Sequence, residues 1–226
     1  MKERAILQSA YISIVIQFLI GLIGIHGVFI PLLSKDAILN DIMLLEVIVQ
    51  FIELSFYIWL IYHLSQMSFE VTYTRYFDWF ISTPLMLLTT VFFMEYMNIA
   101  KYGKIVTIVD ILRKDFFPLI KIVIGNFGML LFGFLAEIRY LPRILGFILG
   151  TIGFLYSFYT IYHEFVGTEY WNQVLFYFMF FIWALYGVAF LFPYVIKNVS
   201  YNYLDIFSKN FYGLFLYYII LTKQVT

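Results

Sequence analysis

The sequence predicts an all-α fold, a bundle of seven transmembrane helices. Three observations predict it. Of 226 residues, 63% are hydrophobic and only 12% charged, where an ordinary soluble domain has about 25% charged. Seven apolar runs, at 5–30, 38–66, 74–97, 116–137, 142–163, 173–196 and 199–222, are each long enough to cross about 30 Å of hydrocarbon as a helix. The connectors "PLLSKDAILN", "SFEVTY", "AEIRYLPR", "HEFVGTEYWN" and "KNVS" are short. They leave no room for a soluble domain, so residues 1–226 read as one membrane domain.

The first run follows "MKER" and imitates a signal peptide. It is too long for an h-region and lacks a small-residue cleavage site, so it reads as a helix. The second carries Glu46, Gln50, Glu53 and Tyr57 at i, i+4, i+7 and i+11, one polar stripe on an apolar helix. The third contains "RYFDWFISTPLMLL", with Arg75 and Asp78. The connector 98–115, "NIAKYGKIVTIVDILRKD", is basic and half apolar, which predicts a surface loop with a short amphipathic helix. The fourth, fifth and sixth runs hold "NFGMLLFG", "FILGTIGF" and "WALYGVAF". The seventh holds "NYLDIFSKNFYGLFLYYIIL", with Asp205 and Lys209 near its middle.

Charge orients the bundle only weakly. With the amino terminus outside, the inner side holds Lys35, Lys101, Lys104, Arg113, Lys114, Lys121 and Lys223. The outer side holds Lys2, Arg4, Arg139, Arg143 and Lys197. The bias has the right sign, but the basic amino terminus opposes it.

Composition also excludes several classes. A net charge of +0 gives no reason to expect nucleic acid or an acidic partner. Without cysteine there is no disulfide framework and no thiolate metal site. His26, His63 and His163 lie in different segments with no second ligand at helical spacing, so no metal centre is expected. There is no Gly-rich phosphate loop or nucleophile elbow, and the chain is not expected to be an enzyme.

Ionisable residues inside a membrane mark function by default. Each costs about 2.5–3.5 kcal/mol at the centre of a spanning helix. Asp205 and Lys209 are four apart and share a helix face. A structural ion pair is the plainer alternative, but burying such pairs rarely gains net stability. A lysine in a dry pocket beside carboxylates suits a protonated Schiff base with a carbonyl cofactor.

These residues carry a resemblance. "RYFDWFISTP" is similar to the third-helix signature of the microbial (type 1) rhodopsins, and "LDIFSK" to their seventh-helix signature. The resemblance covers essentially the whole chain. It implies an integral, multi-pass membrane protein with all-trans retinal on Lys209, Asp78 and Asp205 as counterions and Arg75 just outside them. It further implies pocket walls from Trp79, Thr83, Met86, Asn126, Met129, Gly133, Phe147, Gly150, Thr151, Phe154, Trp183, Tyr186, Phe190 and Ser208.

The departures from outward pumps are specific. Gly187 stands where pumps have proline. Thr89 stands at the cytoplasmic proton donor, so the three diagnostic positions read Asp78, Ser82, Thr89. No Asp or Glu occurs between Glu169 and Asp205, which leaves the proton-releasing carboxylates of pumps without an equivalent, and Lys197 sits at the outer end of the seventh helix. The stripe on the second helix allows two readings. It is either a packing stripe or a water-filled path that attracts cations. Similar spaced glutamates occur in the algal cation channelrhodopsins, and "SKNFYGL", with Asn210 after the lysine, is similar to their retinal-lysine segment. Ser13, Gln17 and Asn202 would add polar lining. The combination looks most like the viral rhodopsin branch, whose first group contains light-gated cation channels. The expected function is therefore a light-gated cation channel in a membrane, that of a host cell if the origin is viral. Its partners would be lipids and monovalent cations or protons, with a homo-oligomer left open. A low-efficiency outward proton pump and a sensor with a separate partner are the alternatives.

Overall fold

The computed structural model describes residues 2–64 and 71–225, with side chains from Arg4 onward. The end of the second run and the start of the connector "SFEVTY" lie outside the described residues. Helix α1 spans Lys2–Val28 and α2 spans Ile38–Leu64. A 3₁₀ turn, Thr72–Thr74, leads into α3, Arg75–Ala100. The short α4, Ile108–Lys114, precedes α5, Phe116–Glu137. Helix α6, Arg143–Ile161, runs on into a π turn, Tyr162–Val166, and α7 is Tyr170–Phe190. The last rod joins α8, Tyr194–Asp205, to α9, Phe211–Lys223, through a π turn at Ile206–Asn210. Seven rods thus cross the bundle, and α4 is the amphipathic helix expected in the 98–115 connector.

The expected connector "HEFVGTEYWN" shrinks to residues 167–169, between the π turn and α7, and two boundaries differ more. Helix α7 ends at Phe190 rather than near 196, and the seventh rod starts at Tyr194 rather than 199. The residues read as the connector "KNVS" therefore lie inside α8. The real connector ends at Pro193, whose carbonyl accepts the first helical bond, from Lys197 N at 2.9 Å. Proline is well suited to a helix start because it has no N–H to leave unpaired. By length and apolarity alone, six helices qualify as membrane spans among the described residues. The seventh rod is diluted by Lys197, Asn198, Asn202, Asp205, Lys209 and Asn210, all buried. A hydropathy measure penalises these residues wherever they point, and here they point inward.

The outer surface is apolar. Phe117 is 75% exposed, and tyrosines exposed at rod ends include Tyr102 and Tyr170 at one end and Tyr62 and Tyr140 at the other. This is the arrangement of an integral membrane protein, with aromatic belts at both interfaces. Many polar groups are buried in the interior beside its apolar core.

At the end expected to face the cytoplasm, several devices fix the connectors. Asn40 Nδ2 donates to the carbonyls of Gly27, Val28 and Ile30 at 3.2, 2.9 and 3.1 Å. Leu32 forms an isolated antiparallel bridge with Gln224, and Val225 N donates to Pro31 O at 3.2 Å. Gly167 has φ 57°, a left-handed conformation that glycine adopts without strain. Asn98 and Asn172 satisfy the carbonyls of Phe165 and Val166 just before it, at 2.8 and 3.2 Å. Helix α4 opens with a capping box, with Thr107 Oγ1 accepting from Asp110 N and Asp110 accepting from Thr107 N. Lys114 at its end donates to Glu95 at 2.8 Å, a bond that raises the lysine pKa.

Helices α5 and α6 pack backbone to backbone. A Cβ on Gly153 would fall 2.6 Å from Gly125 O and 2.6 Å from Met129 N. Small residues let membrane helices approach this closely. Gly153→Ala should therefore destabilise the bundle by about 1–3 kcal/mol through overpacking. Thermal unfolding followed by circular dichroism in detergent checks this, and an unchanged melting temperature would refute the seam.

Candidate functional site

The seventh rod brings Lys209 to the middle of the bundle on its π turn. Such turns insert a residue into the helical ladder and recur at functional sites. The ammonium is fully buried and lies 2.8 Å from Asp78 Oδ2 on α3 and 3.9 Å from Glu53 Oε1 on α2. Asp205 meets different partners. Tyr57 and Tyr186 donate to its two oxygens at 2.7 and 2.6 Å, and Arg75 lies 3.5 Å away. Arg75 is held in turn by Asn198 Oδ1 at 3.1 Å and by Asn202 Oδ1. The four-residue spacing of Asp205 and Lys209 thus puts them in one cluster, while Asp78 makes the direct ion pair. Glu53, read as a pathway residue, is also part of the lysine's carboxylate shell.

Beside Lys209 is an apolar cavity of about 260 Å³. Its walls include Trp79, Thr83, Met86, Met129, Gly133, Phe147, Gly150, Thr151, Phe154, Trp183, Tyr186, Phe190, Ser208 and Lys209, as the sequence reading expected. Asn126 is not in the wall; it donates to Thr83 Oγ1 at 2.9 Å and so acts behind it. Tyr76, Leu130, Gly146, Ala184, Val188 and Tyr201 also line it, outside the expected set. Tyr201 had a legible signal, since 201, 205 and 209 repeat at i+4. Its ring stands edge-on to Trp79 at 5.0 Å. Gly187 lines the cavity and α7 runs unbroken through it.

The stripe on α2 is buried throughout, at Glu46, Gln50, Glu53 and Tyr57. Thr89 donates to Glu46. A carboxyl from α2 therefore stands against the position that lacks one on α3, a substitution across helices that spacing along one run does not reveal. Both side-chain ends of Gln50, Glu53 and Asn210, and the hydroxyl of Ser82, are buried with no hydrogen-bond partner. Asn202 donates to Ser9 Oγ at 2.7 Å, Ser13 Oγ donates to the Asn202 carbonyl at 3.4 Å, and Gln17 donates to Ser13 at 2.9 Å.

A sequence model of bacteriorhodopsin-like proteins matches residues 8–223. The chain belongs to that family. Among solved structures, it is similar to the viral rhodopsin OLPVRII, with 28% identity, a TM-score of 0.84, and coverage of 96% of this chain and 98% of that one. The expected likeness to the viral branch is met there. The rhodopsin of Exiguobacterium sibiricum shares the fold at 16% identity and TM-score 0.77, covering 100% of this chain and 99% of that one. Xanthorhodopsin, described as a light-driven ion pump with dual chromophore, shares it at 16% identity and TM-score 0.77, covering 99% and 94%. No curated protein sequence matches the chain.

Family membership implies a retinal chromophore. The residues present fit one. A long apolar, aromatic slot has one lysine in its lining, Lys209, and a primary amine is the group that forms an imine with the retinal aldehyde. Asp78 at 2.8 Å could supply the anion that a cationic imine would need in a dry site.

At the outer end, Lys197 is paired with a carboxylate from another rod. Lys197 is buried and donates to both oxygens of Glu137 at 2.6 and 2.7 Å, tying α8 to α5 beside Phe190 and Tyr201. Glu137 was not found because it lies on the fourth rod, far from Lys197 in sequence. Lys197→Met should cost about 3–5 kcal/mol by stranding the Glu137 charge, and the Glu137→Gln, Lys197→Met double variant should recover much of it. Melting of the two proteins compares them; equal losses would show that the pair is not coupled.

Proposed function

We propose that the protein is a light-gated cation channel, with all-trans retinal carried on Lys209 within a single unit over residues 1–226. The observation that carries this reading is the set of buried polar atoms on Gln50, Glu53, Ser82 and Asn210 that have no hydrogen-bond partner. A buried polar group without a partner costs about 1–3 kcal/mol. Helix packing would leave such groups bonded to each other or to backbone. Several together, between α2, α3 and the seventh rod, favour a column that water can enter. Its carboxylates, Glu46 and Glu53, attract cations and repel anions.

Retinal bound at Lys209 would supply a cationic nitrogen that moves with light. Asp78 Oδ2, the nearest acceptor to Nζ, is the group that would accept a proton released there. Loss of that charge weakens the attraction that holds Asp78 on α3 and Glu53 on α2 against the seventh rod. Arg75, Tyr57, Asn198 and Asn202 close the outer stretch of the file through their shared hydrogen bonds. Separation of α2 from the seventh rod opens it, because Tyr57 comes from α2 and Asp205 and Asn202 from α8.

A specific contact favours a second reading. Thr89 bonds Glu46, which puts a carboxyl where a pump needs its inner proton donor. A low-efficiency outward proton pump would use Glu46 to return the proton to Nζ. Patch-clamp of the expressed protein under light separates the two: a photocurrent that reverses sign with the cation gradient supports the channel, and a current of fixed direction supports the pump.

Lys209→Ala should abolish the visible absorption band after reconstitution with retinal. A surviving band with a covalent adduct elsewhere would refute the assignment. Glu53→Gln should keep the colour while changing photocurrent amplitude or reversal potential, and Glu46→Gln, nearer the inner mouth, should act more weakly. If neither quantity moves in Glu53→Gln, the stripe is packing.

A further inference from the structure

We infer that the contact between Tyr96 and Asp36 is the inner gate of the conduction path, an inference that rests on the channel reading above. The polar file does not reach the inner surface. Beyond Glu46 and Thr89, the same face of α3 presents Phe93 and then Tyr96, both fully buried. Phe215 of α9 stands edge-on to Phe93 at 5.2 Å and completes an apolar plug. Tyr96 is its last layer, and its hydroxyl donates to Asp36 Oδ1 at 2.6 Å. On the far side of that bond is a cavity of about 200 Å³ lined by Lys35, Asp36, Tyr96, Lys101, Glu169 and Lys223. One phenol and one carboxylate therefore form the innermost layer of the plug, next to a charged mouth.

The two partners are mounted differently. Asp36 sits in the α1–α2 connector, buried to 3% exposure although it is in a loop. That connector is pinned by Asn40 to the end of α1, and by its Leu32 and Pro31 contacts to the carboxyl-terminal residues. Asp36 N also donates to Leu33 O at 2.8 Å. Tyr96 instead rides on α3, the helix that bears Asp78, Trp79, Thr83 and Met86 at the chromophore cavity. A shift or rotation of α3 driven from the cavity moves Tyr96 against a fixed Asp36. The donor to Asp36 is a neutral hydroxyl, although Lys35, Lys101 and Lys223 line the same cavity. Lys101 is engaged with Glu169 at 2.9 Å. The bond is charge-assisted, but a hydroxyl donor brings no counter-charge of its own, so once released Asp36 presents an anion to entering cations.

The test uses the full chain reconstituted with retinal, under whole-cell patch-clamp, comparing wild type with Tyr96→Phe and Asp36→Asn. Tyr96→Phe removes one oxygen and keeps the ring in the plug. Both variants should keep their visible absorption maximum. Losing a latch worth one hydrogen bond should shift the balance of open and closed states by roughly five- to thirtyfold, seen as slower closing or as new dark current. Closing kinetics and dark current inside about twofold of wild type in Tyr96→Phe, with a wild-type current that reverses, would overturn the gate and leave the channel reading standing. A wild-type current that never reverses would overturn the channel reading and the gate with it. Should Asp36→Asn yield no coloured protein, light-minus-dark infrared spectra decide: a tyrosine band present in wild type and missing in Tyr96→Phe supports the gate, and its absence in wild type overturns it.

Discussion

A cation buried on Lys209 can persist only if carboxylates surround it, and much of the interior follows from that requirement. Asp78 and Glu53 approach from two different helices, and Asp205 lies one turn away on the same rod. Three acids around one base would repel each other, so Asp205 needs its own donors. Tyr57, Tyr186 and Arg75 meet that need. Arg75 then has to be held, and Asn198 and Asn202 hold it. Each group is buried because the previous one had to be satisfied. The chain of obligations ends at Ser9 and Thr72, at the outer end of the bundle.

The fold was legible because the membrane imposes a long apolar run on nearly every rod. The pocket was legible because its residues fall in short signatures on single helices, as with Trp79, Thr83 and Met86, or Phe147, Gly150 and Phe154. What failed to show lies between helices. Glu46 against Thr89 and Lys197 against Glu137 join positions 43 and 60 residues apart. No periodicity within one run encodes such a pair. The start of the seventh rod was misplaced for a related reason: Lys197 and Asn198 look like a polar connector until their partners are known. Asp36 is the extreme case, a loop acid whose burial depends on a tyrosine from α3.

Helix α3 is shared by every part of this machinery. It contributes Arg75 to the outer cluster, Asp78 to the ion pair, Thr83 and Met86 to the cavity, Thr89 to the inner carboxyl and Tyr96 to the plug. Its interior Pro84 lacks an N–H, which leaves one rung of its ladder unmade at the level of the cavity. A rod with a weak rung there can hinge where the chromophore pushes.

The seam at Gly125 and Gly153 bears on where such a push is absorbed. Where backbone lies on backbone at Gly125 and Gly153, α5 and α6 have no side-chain layer to slide or repack. The pair behaves as one stiff plank forming the far wall of the cavity, through Met129, Gly133, Phe147 and Gly150. A bound group that changes shape against a plank recoils from it. The recoil is delivered to the opposite wall, where polar side chains and lone hydrogen bonds yield more easily than touching backbones. The glycines therefore act as an anvil, giving a symmetrical-looking bundle a hard side and a compliant side.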